Sequence, residues 1–157
     1  IVTNEILEDS YDKLMIASGA RAIIPPIKNI DLKNVVTLKS MDDGNKLKEL
    51  MAIDEYKRVT IIGSGFIGLE AVEAAKHMGK EVTVIQLQDR VLEEEFDKDI
   101  TDILEEELRD KGVNLLLSET VVELIGEEKV SKVKTDKREI EADIVILATG
   151  VRPNTDF

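Results

Sequence analysis

The segment that most constrains the fold is 59–70, VTIIGSGFIGLE, which has the pattern of a strand, a glycine turn and the start of a helix. Residues 59–62 are β-branched throughout, as is typical of a strand buried on both faces of a parallel sheet. Gly63, Gly65 and Gly68 follow with the spacing G-x-G-x-x-G. Such a turn directs free backbone N–H groups and the positive end of a helix dipole to one point, where a pyrophosphate can bind.

The residues after the turn complete a βαβ unit. Helical spacing of apolar residues predicts a helix over 66–78 that ends at Gly79, and EVTVIQ at 81–86 predicts the second strand. A glycine motif alone indicates little. A strand before it, a helix after it and a second strand at the expected spacing favour a dinucleotide site. The alternative is a tight β–α connection without a ligand. The predicted helix turns one set of residues toward the sheet (Ile67, Ala71, Ala74 or Ala75, and Met78) and another to the opposite side (Glu70, Glu73 and His77).

The rest of the chain indicates an α/β fold. Strands are predicted over 11–19, 35–38, 113–117 and 143–148, helices from about 40 to 53 and 96 to 111, and an extended linker at Pro25-Pro26. Three short segments between the third and last parallel strands, at 120–125, 130–135 and 138–141, alternate apolar with polar residues, which is typical of an antiparallel meander. We therefore predict a Rossmann-like parallel sheet with an antiparallel β-meander insert.

Charge and cysteine content exclude several classes of function. The formal net charge of −12 argues against a nucleic-acid or anionic membrane surface as partner, and the absence of cysteine excludes a redox-active thiol within this chain. The acidic runs, such as Glu93-Glu94-Glu95, are most simply solvated faces, and they lack the spacing of a metal site, so we predict no metal. No apolar run approaches the ~18 residues of a membrane span, which favours a cytoplasmic location. The chain begins at Ile1 without a methionine, and we expect it to be part of a longer protein.

Two polar residues near the end of the second predicted strand are candidates for reading the adenosine ribose. In this fold an acidic side chain about twenty residues beyond the glycine turn normally binds the ribose hydroxyls, and that position holds Gln86. Arg90 is close enough in sequence to meet a 2′-phosphate. The alternative is that Gln86 is a polar strand end and Arg90 a solvated arginine, and the choice between NADH and NADPH stays open.

Three segments resemble one family, the pyridine nucleotide-disulfide oxidoreductases. Residues 59–70 followed by EVTVIQLQDRVL closely resemble the pyridine-nucleotide domain of these flavoproteins. Ala17-Ser18-Gly19 resembles the A-T-G strand that closes the first part of their FAD domain, and 143–154, DIVILATGVRPN, resembles the second such motif. The resemblance spans nearly the whole chain and is strongest to the NADH oxidase and coenzyme A-disulfide reductase branch.

The resemblance implies that this chain is the NAD(P)H-binding part of an FAD-dependent oxidoreductase, where NAD(P)H docks for hydride transfer to flavin. It implies a remnant of the FAD domain at 1–27, a linker and helix at 28–54, the NAD(P)-binding domain at 55–150 and a return linker at 151–157. The redox-active cysteine and the first FAD motif would precede this segment, and a dimerisation domain would follow it. We therefore expect no catalytic residue here, an isolated chain without activity, and a homodimer for the intact protein.

The resemblance also assigns positions around the cofactors. Glu70 matches a glutamate that points toward the flavin and nicotinamide, and Phe66 matches an aromatic residue that covers the flavin. Gln86 departs from the usual acid. The predicted cofactor-binding residues are Ile62, Gly63, Ser64, Gly65, Phe66, Ile67, Gly68, Glu70, Gln86, Arg90, Thr149, Gly150 and Val151, and the FAD-proximal residues are Ala17, Ser18 and Gly19.

Two other functions share parts of this pattern. A non-catalytic module that senses the NADH/NAD⁺ ratio would need the same glycine turn. An S-adenosylmethionine methyltransferase also has a glycine turn after its first strand, but the antiparallel insert and the lack of an acceptor site argue against it. The residues that choose the electron acceptor lie outside this segment.

Overall fold

A five-stranded parallel sheet forms the centre of the molecule in the computed structural model, which describes residue 6 and residues 8–156. The strands are β1 (Ala20–Ala22), β2 (Val35–Thr37), β3 (Arg58–Ile62), β4 (Glu81–Ile85), β5 (Val113–Leu116), β6 (Val121–Ile125), β7 (Lys132–Thr135), β8 (Glu139–Glu141), β9 (Ile144–Leu147) and β10 (Val151–Pro153). The helices are α1 (Met41–Met51), α2 (Phe66–His77) and α3 (Lys98–Asp110). The parallel sheet has the order β2-β9-β3-β4-β5. The α/β fold class with an antiparallel insert is confirmed.

The two faces of this sheet are covered by different structures. Val59 and Ile61 of β3 pack with residues of all three helices in one apolar core. Ile62 belongs to a second core on the other face, together with Leu124 and Val133 of the antiparallel sheet β6-β7-β8. The meander therefore replaces the second helical layer, and the strands are apolar at consecutive positions because both faces are buried.

Helix α1 begins with a capping box. The Ser40 side chain accepts from the backbone N–H of Asp43, and the Asp43 carboxylate accepts from the Ser40 N–H at 3.1 Å. Burial acts to raise the pKa of Asp43, but the hydrogen bonds from the N–H groups of Lys39 and Ser40 outweigh it, so the pKa lies below its ordinary value. The S-x-x-D spacing thus predicted this helix start correctly.

The amino end of the sheet is closed by polar contacts. Asp143 Oδ2 accepts from the backbone N–H groups of Lys57 and Arg58 at 3.0 and 2.8 Å, and Arg58 Nη2 donates to Asp143 Oδ1 at 2.7 Å. Burial acts to raise the pKa of Asp143, but the hydrogen bonds from Arg58 outweigh it and hold this pKa below its ordinary value. Beside this pair, Lys80 Nζ donates to the carbonyl of Tyr56 at 2.6 Å.

Two predictions about local structure were wrong. Residues 11–19 form no strand, and Leu14, Met15 and Ile16 are exposed, because no described strand lies beside them and a strand depends on its neighbours. Within the predicted return linker at 151–157, residues 151–153 form strand β10, which pairs antiparallel with β1. That pairing joins segments more than a hundred residues apart, so local sequence gave no signal for it.

The predicted buried face of α2 was also partly wrong. Ile67 and Met78 are 39% and 42% exposed, whereas Gly68 and Val72 are buried with Ala71 and Ala75. The helix is rotated because Gly68 packs directly on the glycine turn, which brings its own side of the helix against the sheet. Among the described residues, no helix has the length and apolar character that crossing a membrane requires.

Candidate dinucleotide-binding site

A cavity of about 640 Å³ lies beyond the carboxyl ends of β3, β4 and β9. Strand β3 pairs with β4 on one side and with β9 on the other. The chain passes from β3 to β4 on the first side, whereas β9, on the second side, comes from a much later part of the chain. Such a change of direction opens a crevice at the carboxyl edge of a parallel sheet, which is where ligands of these folds bind. The sequence motif and the sheet topology therefore predict the same binding site, at the carboxyl edge of the sheet.

The glycine turn after β3 forms one wall of this cavity. Gly63 has φ +103°, and a Cβ there would lie 2.4 Å from the carbonyl oxygen of Ala148. A Cβ on Gly68 would lie 2.2 Å from the carbonyl oxygen of Gly63. At Gly65, in contrast, a Cβ would have no atom within 4 Å. Two glycines are thus required by packing within the chain, and the middle one faces open space.

The start of α2 leaves polar groups without partners. Gly65 is the N-cap and makes no side-chain cap, so the first-turn N–H groups that lack an intrahelical acceptor are not satisfied by a capping side chain. The hydroxyl of Ser64 is buried and makes no hydrogen bond with the described residues. A buried polar atom without a partner is uncommon in folded proteins and indicates a place where a ligand or water completes the bonding.

Gln86 is bound to the glycine turn. Its Oε1 accepts from the backbone N–H of Ser64 at 3.0 Å, and its Nε2 donates to Gln88 Oε1 at 2.6 Å. Gln86 and Gln88 both line the cavity, whereas Arg90 does not. The guanidinium of Arg90 donates from Nη2 to the carbonyl of Glu93 at 3.1 Å, so it is held in the loop that follows β4.

The other predicted residues divide between the cavity and the outer surface. Ile62, Thr149 and Gly150 line the cavity with the glycine turn. Phe66 is 57% exposed and packs edge-to-face on Phe96 with 6.2 Å between ring centroids. Four others also lie outside the cavity wall: Ile67, Gly68, Glu70 and Val151. Glu70 lines a second, more open cavity between α1 and α2 together with His77.

Ala17, Ser18 and Gly19 lie next to the last described residues of the chain. Asn154 Nδ2 donates to the carbonyl of Ser18 at 3.0 Å, and its backbone N–H donates to the carbonyl of Gly19 at 2.9 Å. The strand pair β1–β10 continues this contact. The two segments with an A-x-G motif are therefore joined side by side at one end of the molecule.

Sequence reasoning missed part of the cavity wall. Glu119, Thr120 and Val122 line it from the start of the meander, and Pro25 and Pro26 line it from the linker. No motif marks these residues, because only the folded chain brings them to the carboxyl edge of the sheet. Glu119 is the most buried charged residue of this wall, at 2% exposure.

The wall of the cavity is acidic. Four glutamates line it (Glu93, Glu94, Glu95 and Glu119), and no lysine or arginine does. The run 93–95, interpreted from sequence as a solvated face, thus borders the cavity. Among residues 6 and 8–156, no group of three or more histidine, cysteine, aspartate or glutamate side chains could hold a metal ion. Among the residues of this wall, backbone N–H groups and neutral side chains are therefore the donors open to an anionic ligand.

The glycine turn, the cavity and the paired motifs agree with a comparison against known families. The model of the pyridine nucleotide-disulphide oxidoreductase family matches residues 2–157. The chain belongs to this family. The resemblance stated from sequence is confirmed.

Members of the pyridine nucleotide-disulphide oxidoreductase family with assigned activities are similar over most of this chain. An NADH oxidase of Enterococcus faecalis is 46% identical over 150 residues, which cover 94% of this chain and 33% of the relative. An NAD(P)H coenzyme A polysulfide/persulfide reductase of Pyrococcus horikoshii is 46% identical over 152 residues, covering 96% and 34%. The solved structure of a water-forming NADH oxidase from Lactobacillus brevis with bound NADH matches with a TM-score of 0.86 and 42% identity, over 94% of this chain and 32% of that one. The chain thus spans about a third of the length of these relatives.

Proposed function

We propose that this chain is the NAD(P)H-binding part of an FAD-dependent oxidoreductase of the NADH oxidase or coenzyme A-disulfide reductase type. The observation that carries the proposal is the cavity at the carboxyl edge of the sheet, whose wall contains the glycine turn. Membership in the family and the NADH-bound relative from Lactobacillus brevis support it. When bound, the nicotinamide supplies a hydride and the flavin accepts it; both groups are cofactors, and this chain contributes their surroundings.

The residues of the glycine turn fit a dinucleotide. Gly65 has open space where any other residue would place a Cβ, and the uncapped start of α2 follows it. A pyrophosphate needs a close approach to backbone N–H groups, which this arrangement allows. The unpartnered hydroxyl of Ser64 supplies one further donor. Because no lysine or arginine lines the wall, these are the donors that the wall offers to a phosphate.

The predicted residues outside the cavity fit a position beside FAD better than one beside the nicotinamide dinucleotide. Phe66 is exposed at the start of α2, and Ala17, Ser18 and Gly19 are exposed beside Asn154. We propose that these residues and Glu70 face the flavin of the intact protein. The proposal keeps the divisions at 1–27, 28–54, 55–150 and 151–157, and it includes a homodimer and a cytoplasmic location for the intact protein.

Calorimetric titration of the chain with NADH and with NADPH tests the proposed function directly. We expect saturable binding of at least one of them without tight binding of FAD. Absence of binding for both dinucleotides would overturn the proposal.

A pair of glycine substitutions tests where the dinucleotide binds. Gly65→Val fills the open space and should weaken binding of both dinucleotides by at least about tenfold, since it blocks the approach of phosphate to the backbone. Gly44→Val is the matched control, because Gly44 lies in α1 and also has no atom within 4 Å of a Cβ. Equal affinities for the two variants would place the ligand elsewhere.

A further inference from the structure

Glu119 has an unusual position for a carboxylate. Its side chain is 2% exposed, and its Oε1 accepts from Thr135 Oγ1 at 2.8 Å and lies 2.9 Å from Arg138 Nε. No hydrogen bond from a described residue reaches its other oxygen, Oε2. Oε1 is thus fixed by the meander, Oε2 stays open as an acceptor, and Glu119 is one of the residues that line the cavity.

Backbone contacts place Glu119 beside the residues that follow β4. Its N–H donates to the carbonyl of Gln86 at 3.0 Å, and the N–H of Ser118 donates to the carbonyl of Gln88 at 2.8 Å. The end of this strand is where the adenosine ribose of a dinucleotide lies in a fold of this type. Gln86 itself is neutral and is already bound to Ser64. Glu119 therefore supplies, from a different element, a carboxylate that position 86 lacks, and this carboxylate is paired with Arg138 through Oε1.

The cavity wall beside Glu119 carries the same sign of charge, whereas its ion-pair partner Arg138 is not among the residues that line the wall. The cavity wall has three further glutamates at 93–95 and no lysine or arginine. A phosphate monoester carries a charge near −2 at neutral pH. A phosphate beside a buried carboxylate loses affinity by like-charge repulsion, whereas a ribose hydroxyl can donate to the free carboxylate oxygen.

We propose that Glu119 is a specificity-determining residue that favours NADH over NADPH. It accepts a hydrogen bond from the adenosine ribose and repels a 2′-phosphate at the same place. This inference rests on the proposed function, because it requires a dinucleotide in the cavity. It adds to that function a cofactor preference that the neutral Gln86 left open.

The substitution Glu119→Gln tests the inference because it keeps the size and removes the charge. We expect the ratio of the NADPH to the NADH dissociation constant, measured by calorimetry, to fall by at least about tenfold. NADH should bind a few-fold more weakly. Glu127→Gln is the matched control: it removes the same charge from an exposed meander turn outside the cavity and should leave the ratio unchanged.

A second pair of variants distinguishes the effect of Glu119 on the affinity ratio from that of its neighbour Arg138. Loss of the ion pair could free the arginine to attract a 2′-phosphate, so Glu119→Gln is also made together with Arg138→Gln. We expect the ratio to fall in the double variant as well, relative to Arg138→Gln alone. If the effect of Glu119→Gln disappears without the arginine, the inference is overturned.

The remaining outcomes distinguish this inference from the proposed function. Binding of neither dinucleotide by the unmodified chain refutes the proposed function and, with it, the inference. Binding with an unchanged ratio in Glu119→Gln refutes the inference alone. If Glu119→Gln does not fold, the unmodified chain is titrated with AMP and with adenosine 2′,5′-bisphosphate. Tighter binding of AMP supports the inference, and equal or weaker binding of AMP overturns it.

Discussion

The two ends of the parallel sheet are built from the same strands and differ in how their polar groups are satisfied. At the amino end, Asp143 accepts hydrogen bonds from two backbone N–H groups and from Arg58, and Lys80 donates to the carbonyl of Tyr56. At the carboxyl end, the start of α2 has no side-chain cap and the hydroxyl of Ser64 is buried without a partner among the described residues. At the amino end, these polar groups are paired within the chain. At the carboxyl end, hydrogen-bond donors remain unpaired among the described residues.

This difference teaches which changes should affect stability and which should affect binding. Groups that are satisfied within the chain contribute to the free energy of unfolding, and their loss leaves buried partners unpaired. Buried polar groups that have no partner within the chain lower its stability, and they contribute to the affinity for a ligand instead. The glycine turn contains both kinds of position, because Gly63 is fixed by the backbone around it and Gly65 is not.

The largest effect is expected for Gly63→Ala. Its positive φ and the 2.4 Å approach of a Cβ to a backbone carbonyl oxygen should lower the free energy of unfolding by about 3 kcal/mol or more. Urea denaturation measures this change. Gly65→Ala, which has ordinary φ and open space, is the matched variant and should retain the parent stability; equal losses in both would contradict the division between the two glycines.

A smaller loss is expected for Asp143→Asn at the amino end. The amide cannot accept all the bonds of the carboxylate, and Arg58 loses the less exposed of its two acidic partners, so the free energy of unfolding should fall by about 2 kcal/mol. Glu141→Gln removes the other, more exposed acid that pairs with Arg58, and should cost less than about 0.5 kcal/mol. Similar losses for both variants would show that this network is no stronger than a surface ion pair.

The contribution of Asp143 should depend on pH in a defined direction. Its pKa in the folded chain lies below the ordinary value, so its stabilisation is complete above the unfolded pKa of about 4 and is lost as pH falls through the folded pKa. The difference in unfolding free energy between the unmodified chain and Asp143→Asn should be constant near neutral pH and decrease in acid. A difference that grows as the pH falls would contradict this assignment.

The smallest effect is expected for Gln86→Glu at the carboxyl end. The glutamate keeps the acceptor for the N–H of Ser64 and adds a charge near the ribose, so the affinity ratio should shift toward NADH by about fivefold. Competition titrations with NADH and NADPH measure the ratio. Gln86→Leu removes the acceptor without adding charge and should weaken both dinucleotides together. An unchanged ratio in Gln86→Glu would show that position 86 does not read the ribose.

Most of the fold could be predicted from local sequence. The β-branched runs of β3, β4 and β9 predicted their positions within a residue or two, and the S-x-x-D spacing predicted the start of α1. Segment 11–19 failed because its apolar side chains have no described strand to pair with. The orientation of α2 was predicted wrongly because the pattern of apolar residues does not count Gly68. This glycine packs directly on the backbone of Gly63 and so turns its own side of the helix toward the sheet.

The sequence by itself determined the strand–turn–helix unit, the meander and the family, since each depends on residue types at short spacing. Only the tertiary structure decided what surrounds the glycine turn. It held Arg90 in the loop outside the cavity wall and bound Gln86 to Ser64. It also brought Glu119 to the wall from the segment between β5 and β6, thirty-three residues beyond Gln86. Spacing cannot show such contacts, because they depend on which strand ends meet at the carboxyl edge of the sheet.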